Sequence, residues 1–140
     1  MDITGIRAII TGGVSGLGLA VAERFAASGG RLALFDVNDE AADAALEALG
    51  RARARFFHTD VTDEGEVAER VAEAREYLGG IDAAVNCAGV LGAGRVLGRN
   101  GPMPLERFST TVMVNLVGSF NVAKAAADAM QHNQPNDDGE

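Results

Sequence analysis

The chain of 140 residues has the length of one domain, and at 47% hydrophobic and 23% charged it falls among globular sequences, not disordered, collagen-like or low-complexity ones. Twenty acidic against twelve basic residues leave a net charge of −8, which repels phosphate backbones and argues against a nucleic-acid partner. No apolar run approaches a membrane span, no basic stretch precedes an apolar core at the amino terminus, and the single cysteine, Cys87, excludes an internal disulfide framework. A reduced, cytoplasmic setting without a membrane partner is expected.

Residues 7–11 (RAIIT) form a short β-branched run that predicts a strand. TGGVSGLG, residues 11–18, follows at once. Leu17, Val21, Phe25 and Ser28 then recur at helical spacing, and Gly29-Gly30 ends that helix. Residues 32–35 (LALF) read as a second, buried strand ending in Asp36. Asn38 or Asp39 caps a helix with Ala42, Ala45, Leu46 and Leu49 on one face, closed by Gly50. Residues 55–58 (RFFH) make a third strand, ending in Thr59-Asp60-Val61. Thr62 stands before a helix with Val67, Val71, Ala74 and Leu78 on one face and an i,i+4 pair between Glu66 and Arg70. Gly79-Gly80 closes it, and residues 82–86 (DAAVN) form a fourth strand ending in Cys87-Ala88-Gly89.

Apolar strands alternating with amphipathic helices predict an α/β fold, a Rossmann-type parallel sheet with helices on both faces. The right-handed crossover rule then favours strand order 3-2-1-4, the first half of a doubly wound sheet, incomplete on its carboxyl-terminal side. Residues 90–104 are rich in glycine, carry two prolines and read as a long loop. A helix over 105–130 follows. Its apolar residues (Phe108, Val112, Met113, Val114, Leu116, Val117, Phe120, Val122, Ala123) spread nearly all round, so one face packs on the sheet and another needs a second helix or a partner subunit. A homo-oligomer is expected of the complete protein. The last ten residues, QHNQPNDDGE, hold no apolar side chain. Residues 1–131 are thus expected to form the cofactor-binding domain and 132–140 a polar loop or tail.

Gly12-x-x-x-Gly16-x-Gly18 lies directly between a strand and a helix. Glycines there permit a tight turn and let backbone N–H groups at the positive end of a helix approach a pyrophosphate. Ser15 adds a hydroxyl. Asp36, at the end of the next strand, suits the hydroxyls of an adenosine ribose and repels a 2′-phosphate. Neither the turn (Gly13, Val14, Ser15) nor the residues after Asp36 (Val37, Asn38) supply a cation, so NAD is expected as cofactor over NADP.

With these residues in place, TGGVSGLG, Asp60-Val61, Asn86-Cys87-Ala88-Gly89 and Asn115, in that order, resemble the classical short-chain dehydrogenases/reductases. AVNCAG, NLVGSFNVAKAAADAM and the closing polar segment resemble the type 2 3-hydroxyacyl-CoA dehydrogenase subgroup within them, which includes 17β-hydroxysteroid dehydrogenase type 10. The resemblance implies that Gly12, Ser15, Gly16, Leu17 and Gly18 line the pyrophosphate turn and Asp36 binds the adenosine ribose. It implies that Asp60 and Val61 face the adenine, that Asn86, Cys87, Ala88 and Gly89 run under the cofactor, and that Asn115 is the catalytic asparagine, kinking its helix and holding a relay water. The implied reaction is hydride transfer between NAD and a secondary alcohol or ketone, with a 3-hydroxyacyl-CoA as preferred substrate.

The family more often has Asn where this chain has Cys87. A sharper departure is the family's Tyr-x-x-x-Lys with an upstream Ser. The single tyrosine, Tyr77, is followed by LGGI and reads as packing, and the single lysine, Lys124, is expected to pair with Asp128. The 140 residues are therefore expected to carry the binding half of the site and to be inactive alone. The alternative reading is a non-catalytic nucleotide-binding module or degenerate dehydrogenase; a third is that a separate or further stretch of chain completes the fold. No metal site is expected: His58 and His132 lack convergent partners, and Glu64, Glu66, Glu69, Glu73 and Glu76 form a solvated helix face. Ser109, Thr110 and Thr111 are expected to cap the long helix.

Overall fold

A computed structural model describes residues 2–99 and 101–134. Its main sheet contains β1 (Arg7–Thr11), β2 (Arg31–Asp36), β3 (Ala54–His58) and β4 (Ala83–Asn86), all parallel, in the order β3-β2-β1-β4. The expected order and Rossmann-type class are both present. Helices α1 (Gly16–Ala27) and α2 (Asp39–Leu49) cover one face, and α3 (Glu64–Leu78) lies on the other.

The alternation along β1 shows why both faces are dry. Ala8 and Ile10 join Leu32, Leu34, Ala22, Ala42 and Ala45 in one core. Ile9 joins Ala33, Phe35, Phe57, Val67 and Val71 in the other. A strand covered on both sides is apolar along its buried length, hence the unbroken AII and LALF runs.

The structure corrects several local expectations. Helix α1 buries Gly18 and Ala22, while Leu17 is 82% exposed. The buried face is set by how closely the helix start approaches the preceding turn, which only small residues allow; Val21 and Phe25 pack beside it. Asn38 does cap α2, its Oδ1 accepting from the Ala41 N–H at 3.2 Å. Asp63, the residue after Thr62, caps α3, accepting from the Glu66 N–H at 2.9 Å. Arg70 pairs with Glu73 and Glu69 instead of Glu66, and Lys124 reaches Glu64 on α3 instead of Asp128, so that pair ties two helices together.

The 90–104 segment contains a small antiparallel hairpin, β5 (Leu97–Gly98) with β6 (Gly101–Pro102). The long helix is present but in three pieces: α4 (Leu105–Val112), a π-helical stretch (Met113–Gly118) and α5 (Ser119–Met130). It begins after Pro104, so Ser109, Thr110 and Thr111 lie inside α4 and cap nothing; the Thr111 hydroxyl donates to the Arg107 carbonyl at 2.9 Å. On its outer side Leu105, Phe108, Leu116 and Phe120 are exposed. Val122 and Ala126 face the core. Of the polar segment, Asn133 donates to the Ile81 carbonyl, and residues 135–140 lie outside the described part. Among the described residues no helix is long and apolar enough to cross a membrane.

Opposite the site, Arg7 clamps the start of β1 to the start of β4. Its guanidinium donates to both carboxylate oxygens of Asp82 and to the Gly79 carbonyl, and the Arg7 N–H also donates to Asp82. These bonds, foremost the side-chain bond from Arg7, hold the Asp82 carboxyl below the usual carboxylate range. Its stabilisation is therefore complete above the unfolded-state value near pH 4 and is lost as pH falls through the lower folded-state value. With both side chains about a third exposed, the clamp contributes on the order of 1 kcal/mol. Arg7→Gln is expected to flatten the acid limb of stability below pH 4, measured by urea unfolding at stepped pH.

Candidate functional site

The aligned carboxyl ends of β1, β2 and β4 frame a cleft of about 430 Å³, a size suited to a small-molecule ligand. It is lined by Gly12, Ser15, Gly16, Leu17, Gly18, Phe35, Asp36, Val37, Thr59, Asp60, Val61, Cys87, Ala88, Gly89, Val90 and Val114. The register places Thr11 opposite Phe35 and Asn86, which brings the three loops to one level.

The turn from β1 into α1 forms one wall. Gly12 takes a left-handed φ of 62°. A Cβ on Gly18 would lie 2.1 Å from the Gly12 carbonyl oxygen, so helix and turn are in direct backbone contact. The first α-helical bond runs from the Leu19 N–H to the Ser15 carbonyl, leaving the amides of Gly16, Leu17 and Gly18 ahead of it at the positive helix end. Ser15 stands at the N-cap and its hydroxyl makes no capping bond.

Asp36 closes the next side. Its Oδ1 accepts from the Asn38 N–H at 3.1 Å, and its Oδ2 lies 3.4 Å from the Val14 N–H. The carboxylate is thus aimed at the glycine turn with lone pairs to spare. Asp60 sits exposed on the third loop, its Oδ1 accepting from both the N–H and the hydroxyl of Thr62 at 2.9 and 2.8 Å. Val61 beside it is buried.

Cys87, Ala88 and Gly89 form the floor. Thr11, 1% exposed at the end of β1, holds them: its hydroxyl oxygen accepts from the Cys87 and Ala88 N–H groups at 3.0 and 2.9 Å. Asn86 lies outside the cleft lining, exposed on β4. Asn115 lies in the π-helical stretch, also outside the lining, and contacts a lining residue. Its carboxamide accepts from the Val90 N–H at 2.8 Å and donates to the Val90 carbonyl at 3.1 Å, pinning the loop after β4 to the helix. π-turns inside helices are frequent at functional positions.

Thr11, Phe35, Val37, Thr59, Val90 and Val114 were not among the residues singled out from sequence. Thr11 had a readable signal, a polar residue closing an otherwise apolar strand. His58 Nδ1 lies 3.0 Å from Asp39 Oδ1, and among the described residues no cluster suits a metal ion. Tyr77 packs against Phe57 with Arg31 over its ring.

Amide donors at a helix start, a carboxylate at the end of β2, a second on the third loop and apolar walls from Val37, Val61, Val90 and Val114 fit a dinucleotide laid across the strand ends. The architecture is therefore of the Rossmann type, with the cleft where the strand order reverses. Within that class the chain belongs to the short-chain dehydrogenase family, whose model matches residues 7–137.

It is 39% identical over 141 aligned positions to the 3-hydroxyacyl-CoA dehydrogenase type-2 of Bos taurus and to that of Homo sapiens, covering 99% of this chain and 54% of each relative. It is 38% identical to the 2,5-dichloro-2,5-cyclohexadiene-1,4-diol dehydrogenase of Sphingobium indicum, covering 92% and 50%. Among solved structures, a short-chain type dehydrogenase/reductase from Mycobacterium marinum superposes with a TM-score of 0.82 at 34% identity, covering 91% of this chain and 51% of that one. The chain spans about half the length of the curated relatives it matches.

Proposed function

We propose that residues 1–131 are the NAD-binding portion of an oxidoreductase that moves a hydride between NAD and a secondary alcohol or ketone, with a 3-hydroxyacyl-CoA as preferred substrate. When bound, the nicotinamide supplies the hydride acceptor. The chain's own residues bind and orient: amides of Gly16–Gly18 and the Ser15 hydroxyl receive the pyrophosphate, Asp36 accepts from the adenosine ribose, Asp60 and Val61 meet the adenine, and Cys87–Gly89 form the floor. Asn115 fixes Val90 at the reacting end and is the family's catalytic asparagine by position.

One observation carries the choice of NAD: Asp36 faces the glycine turn and, among the described residues, no Lys or Arg lines the cleft. A 2′-phosphate there meets a carboxylate and no cation. Titration with NAD⁺ and NADP⁺ is expected to show at least tenfold tighter NAD⁺ binding, and Asp36→Ser to erase most of that difference; equal or tighter NADP⁺ binding contradicts the assignment.

The acyl-CoA preference rests on the names of the most similar relatives. It is supported by three arginines, Arg95, Arg99 and Arg107, against one acid, Glu106, in the segment that follows the cleft floor. The exposed Leu105, Phe108, Leu116 and Phe120 support a homo-oligomer of the complete protein. The free Cys87 in the cleft floor suits a reducing, cytoplasmic compartment.

A further inference from the structure

Among the described residues the buried polar side chains are Thr11, Thr59 and Asn121. Thr11 holds the cleft floor, and the Thr59 hydroxyl donates to the Phe57 carbonyl two residues away. Asn121, on α5 and 6% exposed, instead reaches across sixty residues of sequence: its Nδ2 donates to the Val61 carbonyl at 3.1 Å. Burying a carboxamide is costly unless its bond is made, and an aliphatic residue of the same size would fill the space more cheaply. The bond therefore specifies position more than it adds stability.

What it positions follows from the planarity of the peptide unit. The Val61 carbonyl and the Thr62 N–H belong to one plane. Asn121 holds the carbonyl end, and the Thr62 N–H donates to Asp60 Oδ1 at the other. Rotation of that plane would swing the Asp60 carboxylate with it. Gly118, one turn before Asn121, packs directly on the Val61 side chain: a Cβ there would lie 2.5 Å from Val61 Cγ2. With Oδ1 engaged, Asp60 presents Oδ2, and the Val61 N–H has no protein acceptor among the described residues. An acceptor beside a donor is the complement of the adenine edge, which offers an amino group beside a ring-nitrogen acceptor. Hypoxanthine offers the reverse.

We propose that Asn121 is a positioning residue that sets base selectivity at the adenine end of the cleft, acting through the Val61–Thr62 peptide on Asp60. This rests on the dinucleotide reading above. It is tested on the 140-residue chain by calorimetric titration with NAD⁺, nicotinamide hypoxanthine dinucleotide and nicotinamide mononucleotide. The wild-type chain is expected to prefer NAD⁺ over its hypoxanthine analogue, and Asn121→Leu to cut that preference about tenfold, the loss of one hydrogen bond to the base, with mononucleotide binding unchanged. Asn121→Ser, which keeps a donor, is expected to retain part of it. In ¹⁵N-labelled wild-type chain the Val61 amide is expected to shift on adding AMP, and in Asn121→Leu the shift is expected to shrink. A preference unchanged within twofold in Asn121→Leu, or an equal loss for both dinucleotides, overturns the proposal and leaves the dinucleotide reading standing. Failure of both variants to fold overturns it too, since Asn121 would then be structural. A wild-type chain that binds neither dinucleotide overturns the dinucleotide reading itself.

Discussion

Thr11→Val is expected to destabilise the chain by about 2–4 kcal/mol. Valine matches threonine in shape, so packing at the end of β1 is preserved and only the hydroxyl is lost. That oxygen is the acceptor for two part-buried N–H groups, Cys87 and Ala88. Each amide left without a partner costs about 1–3 kcal/mol, and in a domain whose whole stability is about 5–15 kcal/mol the two together shift the urea midpoint strongly. Thr11→Ser, which restores the acceptor, is expected to recover most of the loss. Urea unfolding of the three proteins decides it: a Thr11→Val midpoint within experimental error of wild type would mean the β1–β4 junction does not depend on this hydroxyl.

Gly18→Ala is expected to damage both fold and binding. The added methyl would be placed 2.1 Å from the Gly12 carbonyl oxygen and 2.6 Å from its carbon, both backbone atoms that no rotamer change can move. Overpacking of this kind costs about 1–3 kcal/mol. Relief requires the helix to withdraw from the turn, which pulls the Gly16–Gly18 amides away from their common focus. If each charge-assisted bond is worth about 1.5–3 kcal/mol, losing one lowers NAD⁺ affinity roughly 10- to 100-fold. Gly16→Ala is the control: a Cβ there meets open space, so the helix is not displaced, although its φ of 50° makes alanine locally unfavourable. Calorimetric titration of both variants, beside their melting curves, separates the binding effect from the folding effect.

The parallel sheet was legible because its signals are local and repeat. Continuous apolar runs, glycine stops and amphipathic stretches each fall within a dozen residues, and the crossover rule turns their sequence into an order. The turn at residues 12–18 and Asp36 were legible for the same reason: strand, glycines, helix and acid stand in line along the chain. What escaped reading depends on contacts distant in sequence. Lys124 looked paired with Asp128 one turn away, but Glu64 on the neighbouring helix presents the nearer carboxylate. The buried face of α1 is set by contact with the Gly12 turn, which periodicity does not encode. Thr11, Asn121 and the carboxamide grip of Asn115 on Val90 join segments up to seventy-seven positions apart and leave no periodic trace.

The strand order also governs how the site comes into being. Ala8 pairs with Leu32 on one side and with Ala83 on the other, so the second pairing closes a loop roughly three times longer. Loop-closure entropy then delays it, by about 1 kcal/mol in a simple chain estimate. The β1–β2–β3 portion, with its glycine turn and Asp36, is favoured to assemble first, and the floor of Cys87–Gly89 arrives only when the fourth strand docks. Adenosine-sized molecules would thus find their half of the groove during assembly, whereas the reacting end exists only in the finished molecule.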